Sequence, residues 1–224
     1  MAGKKFYAVR KGKKTGVFES WDACRAAVNG YPGAEYKSFT DYEEAVRFAS
    51  SIKTVGITGD IPDKQDTLLA YVDGSYDDRM KKYAFGCVFL LADGRIFTEF
   101  GNGDNEQSLQ LRNVTGEMLG AMYAVKVALY NRFSAIVIRY DYQGIEKWVT
   151  GEWRSKTELT RKYAQAMREW GKKIGISFMK VAAHTNVKYN ELADQTAKKG
   201  LTDGRGIPEI RLLEDMEQYC GEDK

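Results

Sequence analysis

The run Leu68-Leu69-Ala70-Tyr71-Val72-Asp73-Gly74-Ser75-Tyr76 is a short apolar stretch that stops at a carboxylate. Its length and composition read as a buried strand. The same pattern returns in Ala135-Ile136-Val137-Ile138-Arg139-Tyr140-Asp141. Between the two, Met118, Ala121, Met122, Val125 and Leu129 repeat at helical spacing over residues 115–131. Strand, helix, strand in this order implies parallel neighbours joined by a right-handed crossover. Ligands collect beyond the carboxyl ends of such strands, where Asp73 and Asp141 stand.

Working outward, strands are expected at 67–75, 83–92 and 95–102, with Ala92-Asp93-Gly94 as a hairpin turn. After the strand at 135–140, helices are expected from about Gln143 and over 158–172. A strand at 176–182 and a helix at 189–199 follow. A meander followed by alternating elements predicts an α/β fold, a mixed five-stranded sheet flanked by helices.

Upstream the pattern is different. Residues 5–10 alternate as a strand, and Lys11-Gly12-Lys13-Lys14-Thr15-Gly16 is a turn. Val17-Phe18 begins a second strand, and Ser20 can cap a helix over Trp21–Val28. Gly30-Tyr31-Pro32-Gly33 breaks that helix before a strand at Ala34–Phe39. Thr40 or Asp41 then caps a helix over Tyr42–Ala49, giving a small ββαβα unit of the α+β type. The expected organisation is therefore a small domain at 1–50, a linker at 51–66, a main domain at 67–200 and a tail at 201–224. Within the tail, Glu209 to Tyr219 is acidic and partly amphipathic, and no function is assigned to it.

Apolar runs are far shorter than a membrane span, and no apolar segment follows Lys4 and Lys5 as in a secretory signal. Cys24, Cys87 and Cys220 are scattered and lack metal-binding spacing, which predicts reduced thiols in a cytoplasmic compartment. The net charge is only +3, but Lys4, Lys5, Arg10, Lys11, Lys13 and Lys14 cluster with no acid among the first fourteen residues. That cluster is either a polyanion contact or a solvated edge.

Glu117 and Asp194 sit near the starts of two helical patterns, Glu117 in the first turn of the crossover helix. Taken singly, each acid has an ordinary reading. Asp73-Gly74 could be a turn, Glu117 a helix-dipole partner, Asp141 a cap and Asp194 a surface residue. Taken together, the topology converges Asp73, Glu117, Asp141 and Asp194 on one place. Crowded carboxylates repel unless hard cations bind them, which points to Mg²⁺ or Mn²⁺ and phosphodiester hydrolysis. His184, the only histidine, lies on a loop before the helix of Asp194, where it could move protons or aid product release.

These residues carry a resemblance. Tyr71-Val72-Asp73-Gly74-Ser75, Arg112-Asn113-Val114-Thr115-Gly116-Glu117, Tyr140-Asp141-Tyr142-Gln143-Gly144, and His184 with Asn190-Glu191-Leu192-Ala193-Asp194 resemble the catalytic domain of type 1 ribonuclease H. Phe6-Tyr7-Ala8-Val9-Arg10-Lys11-Gly12 and Thr15-Gly16-Val17-Phe18, with Trp21 and Cys24, resemble the hybrid-binding domain that often precedes it. The resemblance implies endonucleolytic cleavage of RNA in RNA/DNA hybrids, leaving 5′-phosphate and 3′-hydroxyl ends. It implies two Mg²⁺ ions in the substrate complex, with Mn²⁺ as a substitute. Asp73, Glu117, Asp141 and Asp194 match the metal-binding carboxylates, and His184 matches a loop histidine linked to turnover. Gly74, Ser75, Arg112, Asn113 and Gln143 match nucleic-acid contacts, Asn113 and Gln143 on the RNA strand, whose 2′-hydroxyl can donate and accept. In the small domain Trp21 and Tyr36 match an aromatic pair on the DNA strand, with Tyr7 and Lys37 as further contacts. Ser38 and Glu35 stand where basic residues are common, which weakens the expected grip. A monomer without an obligate protein partner is expected. Other nucleases and integrases on the same fold, and an inert hybrid-binding protein, are the rivals. Asn113, Gln143 and His184 argue against the first and the full carboxylate set against the second.

Overall fold

The computed structural model describes residues 5–40, 45, 48–49, 65–181 and 188–221. The chain divides into two compact units, Met1–Ile52 with Glu146–Lys172, and Lys53–Ile145 with Lys173–Lys224. Each is described by itself.

In the first unit, β1 (Phe6–Lys11), β2 (Gly16–Phe18) and β3 (Glu35–Phe39) form an antiparallel sheet in the order β2-β1-β3. Helix α1 (Trp21–Val28) starts where Ser20 Oγ accepts the amide of Ala23 at 3.3 Å, an N-cap that satisfies an otherwise orphaned donor. Val9, Cys24, Ala27 and Val28 form its core. Gly12 lets the turn after β1 approach α1, because a Cβ there would lie 2.7 Å from the Ala27 carbonyl. The second helix expected at Tyr42–Ala49 falls largely outside the described residues. Further along, α5 (Glu158–Trp170) is opened by a Thr157–Thr160 capping box.

In the second unit, six strands run in the order β8-β7-β4-β5-β6-β9. They are β4 (Thr67–Asp77), β5 (Lys82–Leu90), β6 (Ile96–Gly103), β7 (Ala135–Tyr140), β8 (Gly175–Lys180) and β9 (Glu217–Gln218). β4, β7 and β8 are parallel, and β5, β6 and β9 are antiparallel to their neighbours. The expected five strands are thus joined by a sixth, β9, supplied by the tail. Its two residues are too few and too polar to show as a strand pattern. A four-residue helix, α2 (Glu106–Leu109), precedes α3 (Asn113–Tyr130), and α4 (Gly144–Thr150), which follows β7, starts in this unit and continues into the first. Helix α6 (Lys188–Asp203) covers β4, β5 and β6, while α3 covers β4, β5 and β7. Side chains alternate across a strand, so Leu69 and Tyr71 join the α6 core with Val88, Val137 and Ala193. Among the described residues no helix is long and apolar enough to cross a membrane. Cys24 and Cys87 are buried free thiols, and Cys220 is exposed.

Candidate active site and nucleic-acid interface

Asp73 is not at the end of β4. The strand continues to Asp77, paired with β5 throughout. Its parallel pairing with β7 stops at Tyr71↔Arg139, and two residues further on the same register sets Asp73 beside Asp141. The acid therefore stands where β4 parts from β7, and Asp141 stands just past the last residue of β7. The apolar run breaks at Asp73 because the parallel neighbour ends, not because the strand ends.

Glu117 reaches the same place from α3. The helix begins at Asn113, two residues earlier than its periodicity implied, so Glu117 lies in the second turn and not the first. Arg112 sets that start, with a left-handed φ of 51° at the N-cap. A non-glycine residue in that region is uncommon and stores backbone strain. Two glycines let the helix come this close. A Cβ on Gly74 would meet the Asn113 carbonyl at 2.1 Å and the Glu117 amide at 2.4 Å. A Cβ on Gly116 would meet the Ala84 carbonyl at 2.0 Å and Gly74 Cα at 2.9 Å. With no side chain in the way, helix and strand touch backbone to backbone. Glu117 projects past Gly74 towards Asp73.

Ligand oxygens of Asp73, Glu117 and Asp141 lie within 4.8 Å of one another. Glu117 is 2% exposed, and its Oε2 is buried without a hydrogen-bond partner among the described residues. Burial, then the charges of Asp141 and Asp73, push the Glu117 carboxyl up to about 9, against a hydrogen bond from the Tyr142 amide that lowers it. Burial and then Asp141 push Asp73 up to about 7, although the Gly74 amide donates to Asp73 Oδ1 at 2.6 Å. Burial, then the charge of Glu117, raises the Tyr142 phenol as well. An orphaned carboxylate oxygen facing two further carboxylates is a donor set suited to a hard divalent cation, which would relieve both burial and repulsion.

Asp194 is nearby but outside this tight group. Its charge raises the Asp73 carboxyl, and its side chain is 41% exposed. Its Oδ2 accepts from Lys198 Nζ at 2.7 Å, one helical turn along α6. Lys198 was not singled out in the sequence, although its i,i+4 spacing from Asp194 was there to be read. α6 is brought close by Gly86, the cross-strand partner of Asp73, where a Cβ would meet the Ala193 carbonyl at 2.3 Å. Gly86 and Gly116 also escaped sequence reasoning. Glycine inside a strand or helix pattern is the signal that marks such approaches. His184 lies outside the described residues.

Of the expected nucleic-acid contacts, Gly74 and Ser75 continue β4 beside the acids, and Asn113 is exposed at the start of α3. The Arg112 guanidinium sits 5.8 Å from the centre of the Tyr76 ring. Gln143 is half-buried between β7 and α4. In the small domain, Trp21 lies 5.7 Å from Tyr7 and 5.8 Å from Tyr36, ring centre to ring centre. Trp21 is 42% and Tyr36 47% exposed, so neither is a core aromatic. Lys37 is not part of this group. Alternation along β3 turns it to the opposite face from Tyr36, where its Nζ lies 5.4 Å from the Phe39 ring.

The sequence profile of the RNase H domain matches residues 65–202, more than half of the chain. The chain belongs to the ribonuclease H family. The profile of the ribonuclease H1 N-terminal domain matches residues 5–49. This ribonuclease H is 27% identical to ribonuclease H1 of Rattus norvegicus over 260 aligned positions, covering 90% of each chain. It is 46% identical to a ribonuclease H of Saccharomyces cerevisiae over 54 residues, which span 24% of this chain and only 16% of the yeast protein. Among solved structures, RNase H1 of Halobacterium salinarum superposes with a TM-score of 0.53 at 26% identity, covering 62% of this chain and 99% of that one. The RNase H domain of Rv2228c from Mycobacterium tuberculosis shares the fold, with a TM-score of 0.51 at 15% identity. The family comprises RNA/DNA-hybrid endoribonucleases that depend on divalent metal, and the acidic cluster is placed to meet that need.

Proposed function

We propose that this ribonuclease H hydrolyses the RNA strand of RNA/DNA hybrids as a monomer, with Mg²⁺ as cofactor, two ions per substrate complex, and Mn²⁺ able to substitute. The observation that carries the reading is the buried Glu117 Oε2, without a hydrogen-bond partner among the described residues, within a triad of converging carboxylates. Asp73, Glu117 and Asp141 would hold the ions, with Asp194 joining from the rim. Divalent ions held there supply an activated water and charge stabilisation for in-line displacement. The remaining work falls to the chain. α3 and β4 hold the acids rigidly through the Gly74–Gly116 contact, and the Tyr142 amide orients Glu117. Arg112, Asn113, Gly74, Ser75 and Gln143 flank the acids as contacts to backbone and 2′-hydroxyl groups. His184 assists turnover. Attack by water on phosphorus expels the 3′-oxygen and leaves 5′-phosphate and 3′-hydroxyl ends.

In the 1–50 module, exposed Trp21 and Tyr36, backed by half-buried Tyr7, offer ring faces to the sugars of the DNA strand, a sequence-tolerant contact. Lys37 adds a phosphate-directed charge from its own face of β3. The test is cleavage of an end-labelled hybrid beside duplex DNA, duplex RNA and single-stranded RNA, with and without Mg²⁺, followed by analysis of the product ends. Metal-dependent cutting of the hybrid alone is expected. Cutting of duplex DNA with the hybrid left intact overturns the reading, and cyclic phosphate ends overturn attack by water.

A further inference from the structure

The segment after α6 lies beyond the matched catalytic region, yet it is fastened along β6 at both ends. It leaves α6 at Gly204, packed so closely that a Cβ would sit 2.4 Å from the Gly200 carbonyl. Asn102 of β6 then holds it. Its side-chain amide donates to the Gly200 and Gly204 carbonyls at 2.9 and 2.8 Å, and its Oδ1 accepts from the Gly206 amide at 2.9 Å. The Asn102 backbone amide donates to the Gly206 carbonyl at 3.1 Å. The segment next passes over α3. Arg211 Nε donates to Glu99 Oε2 at 3.1 Å, and Asn131 bridges the Arg211 carbonyl and the Leu213 amide. Glu99 is only 7% exposed, and Leu213 and Met216 are buried. Finally β9 pairs with Phe97 and Thr98, and the Tyr219 amide donates to the Ile96 carbonyl at 2.9 Å.

We infer that residues 204–219 are an intramolecular strap standing in for a further strand, and that the β6 edge beneath it is a latent pairing surface for a second copy of this chain. β6 runs for eight residues, Ile-Phe-Thr-Glu-Phe-Gly-Asn-Gly, with no proline and no lysine. Those are the usual devices that stop a bare edge from recruiting another strand. The strap does that work instead, by occupying the edge at Ile96, Phe97–Thr98 and Asn102. Its anchors favour staying docked, because release would leave the buried Glu99 without Arg211 and Asn102 with three unmet hydrogen bonds. A second copy of β6, antiparallel to the first across a two-fold axis, meets the same backbone groups.

The test uses the full chain with Arg211→Glu and Leu213→Asp to undock the strap, and separately Tyr219→Pro, which deletes one edge hydrogen bond and leaves the buried residues in place. Hydrogen exchange of the β6 amides that face the strap and not β5, Asn102 among them, and sedimentation are followed across a dilution series. The parent chain should stay monomeric, with β6 protected at every concentration. The undocked variant should lose β6 protection when dilute, then regain it as its mass doubles with concentration. Tyr219→Pro should shift the same way to a smaller extent, and it carries the test if the double variant does not fold. Fast exchange at all concentrations without self-association overturns the latent surface. Protection that persists in the dilute variants overturns the strap.

Discussion

Replacing Glu117 by Gln should raise the stability of the metal-free enzyme while destroying its activity. Glu117 is buried, and its carboxyl lies at about 9 in the fold against an ordinary 4.5. Such an acid binds a proton more tightly in the native state than in the unfolded chain. The associated cost is absent below about pH 4.5, grows as pH rises through the window between 4.5 and 9, and is constant above it. At about 1.4 kcal/mol per pH unit, it is about 1 kcal/mol near pH 5 and about 3 kcal/mol near pH 7. Gln keeps the shape, can still accept from the Tyr142 amide, and cannot ionise. Its amide can also donate to Asp73 or Asp141, which reinforces the sign.

The assay is urea unfolding of both proteins in chelator at acidic and neutral pH, then at neutral pH with Mg²⁺. The Gln variant should be the more stable by about 3 kcal/mol at about pH 7, and the gap should narrow to about 1 kcal/mol at about pH 5. Mg²⁺ should stabilise the parent much more than the variant, because only the parent keeps the full donor set. A gap that does not change with pH, or a Gln variant no more stable than the parent at neutral pH, refutes the reasoning.

Gly74→Ala places a Cβ 2.1 Å from the Asn113 carbonyl, so α3 must retreat and carry Glu117 with it. Cleavage should fall about a hundredfold and stability by roughly 1–3 kcal/mol, read by turnover and urea midpoint. Asp141→Asn should lower cleavage in Mg²⁺ by about a thousandfold or more, with hybrid affinity retained in a gel-shift assay. Near-normal turnover would remove Asp141 from the metal set. His184→Ala should slow turnover without loss of binding, and an unchanged kcat would end its assignment. Deleting residues 1–60 should raise KM on long hybrids more than on short ones, and an unchanged KM and cutting pattern would show that the small domain adds no grip.

Asp73 and Asp141 were legible because an apolar strand that turns acidic at one position is a local pattern, visible in nine residues. Glu117 was legible only through topology, and its turn within the helix was misplaced. Nothing in the periodicity shows that Arg112 adopts a left-handed conformation and starts α3 two residues early. Gly86 and Gly116 were passed over because a glycine's absent side chain gains meaning only when a second backbone is known to lie against it. Strand alternation, available from Tyr36 and Phe39, already assigned Lys37 to the other face of β3 from the aromatic cluster. β9 was out of reach, since two polar residues carry no period and their partner lies more than a hundred residues away.

The site's electrostatic cost and its steric closeness have one cause. Asp73 is flanked on one strand by Gly74, which admits α3, and across the ladder by Gly86, which admits α6. The sheet is thus stripped of side chains on both faces around one carboxylate, and two helices descend to backbone contact there. That closeness excludes water, which raises Asp73 and Glu117 far above ordinary acids. The helices cannot relax outward to relieve the repulsion, because each is also held by apolar packing: α3 by buried Met118, Ala121 and Val125, α6 by buried Ala193, Ala197 and Leu201. A looser site would hydrate its acids, lower their pKa values and lose affinity for cations. The prediction that separates this account from a purely electrostatic one concerns Gly86→Ala. It leaves Asp73, Glu117 and Asp141 unaltered but forces α6, and Asp194 with it, off β5, where the new Cβ would meet the Ala193 carbonyl at 2.3 Å. It should therefore weaken the pH-dependent stabilisation by Mg²⁺ as well as lower turnover. If Mg²⁺ stabilises the Gly86→Ala variant as strongly as the parent at neutral pH, close helix packing is not what makes the cluster bind.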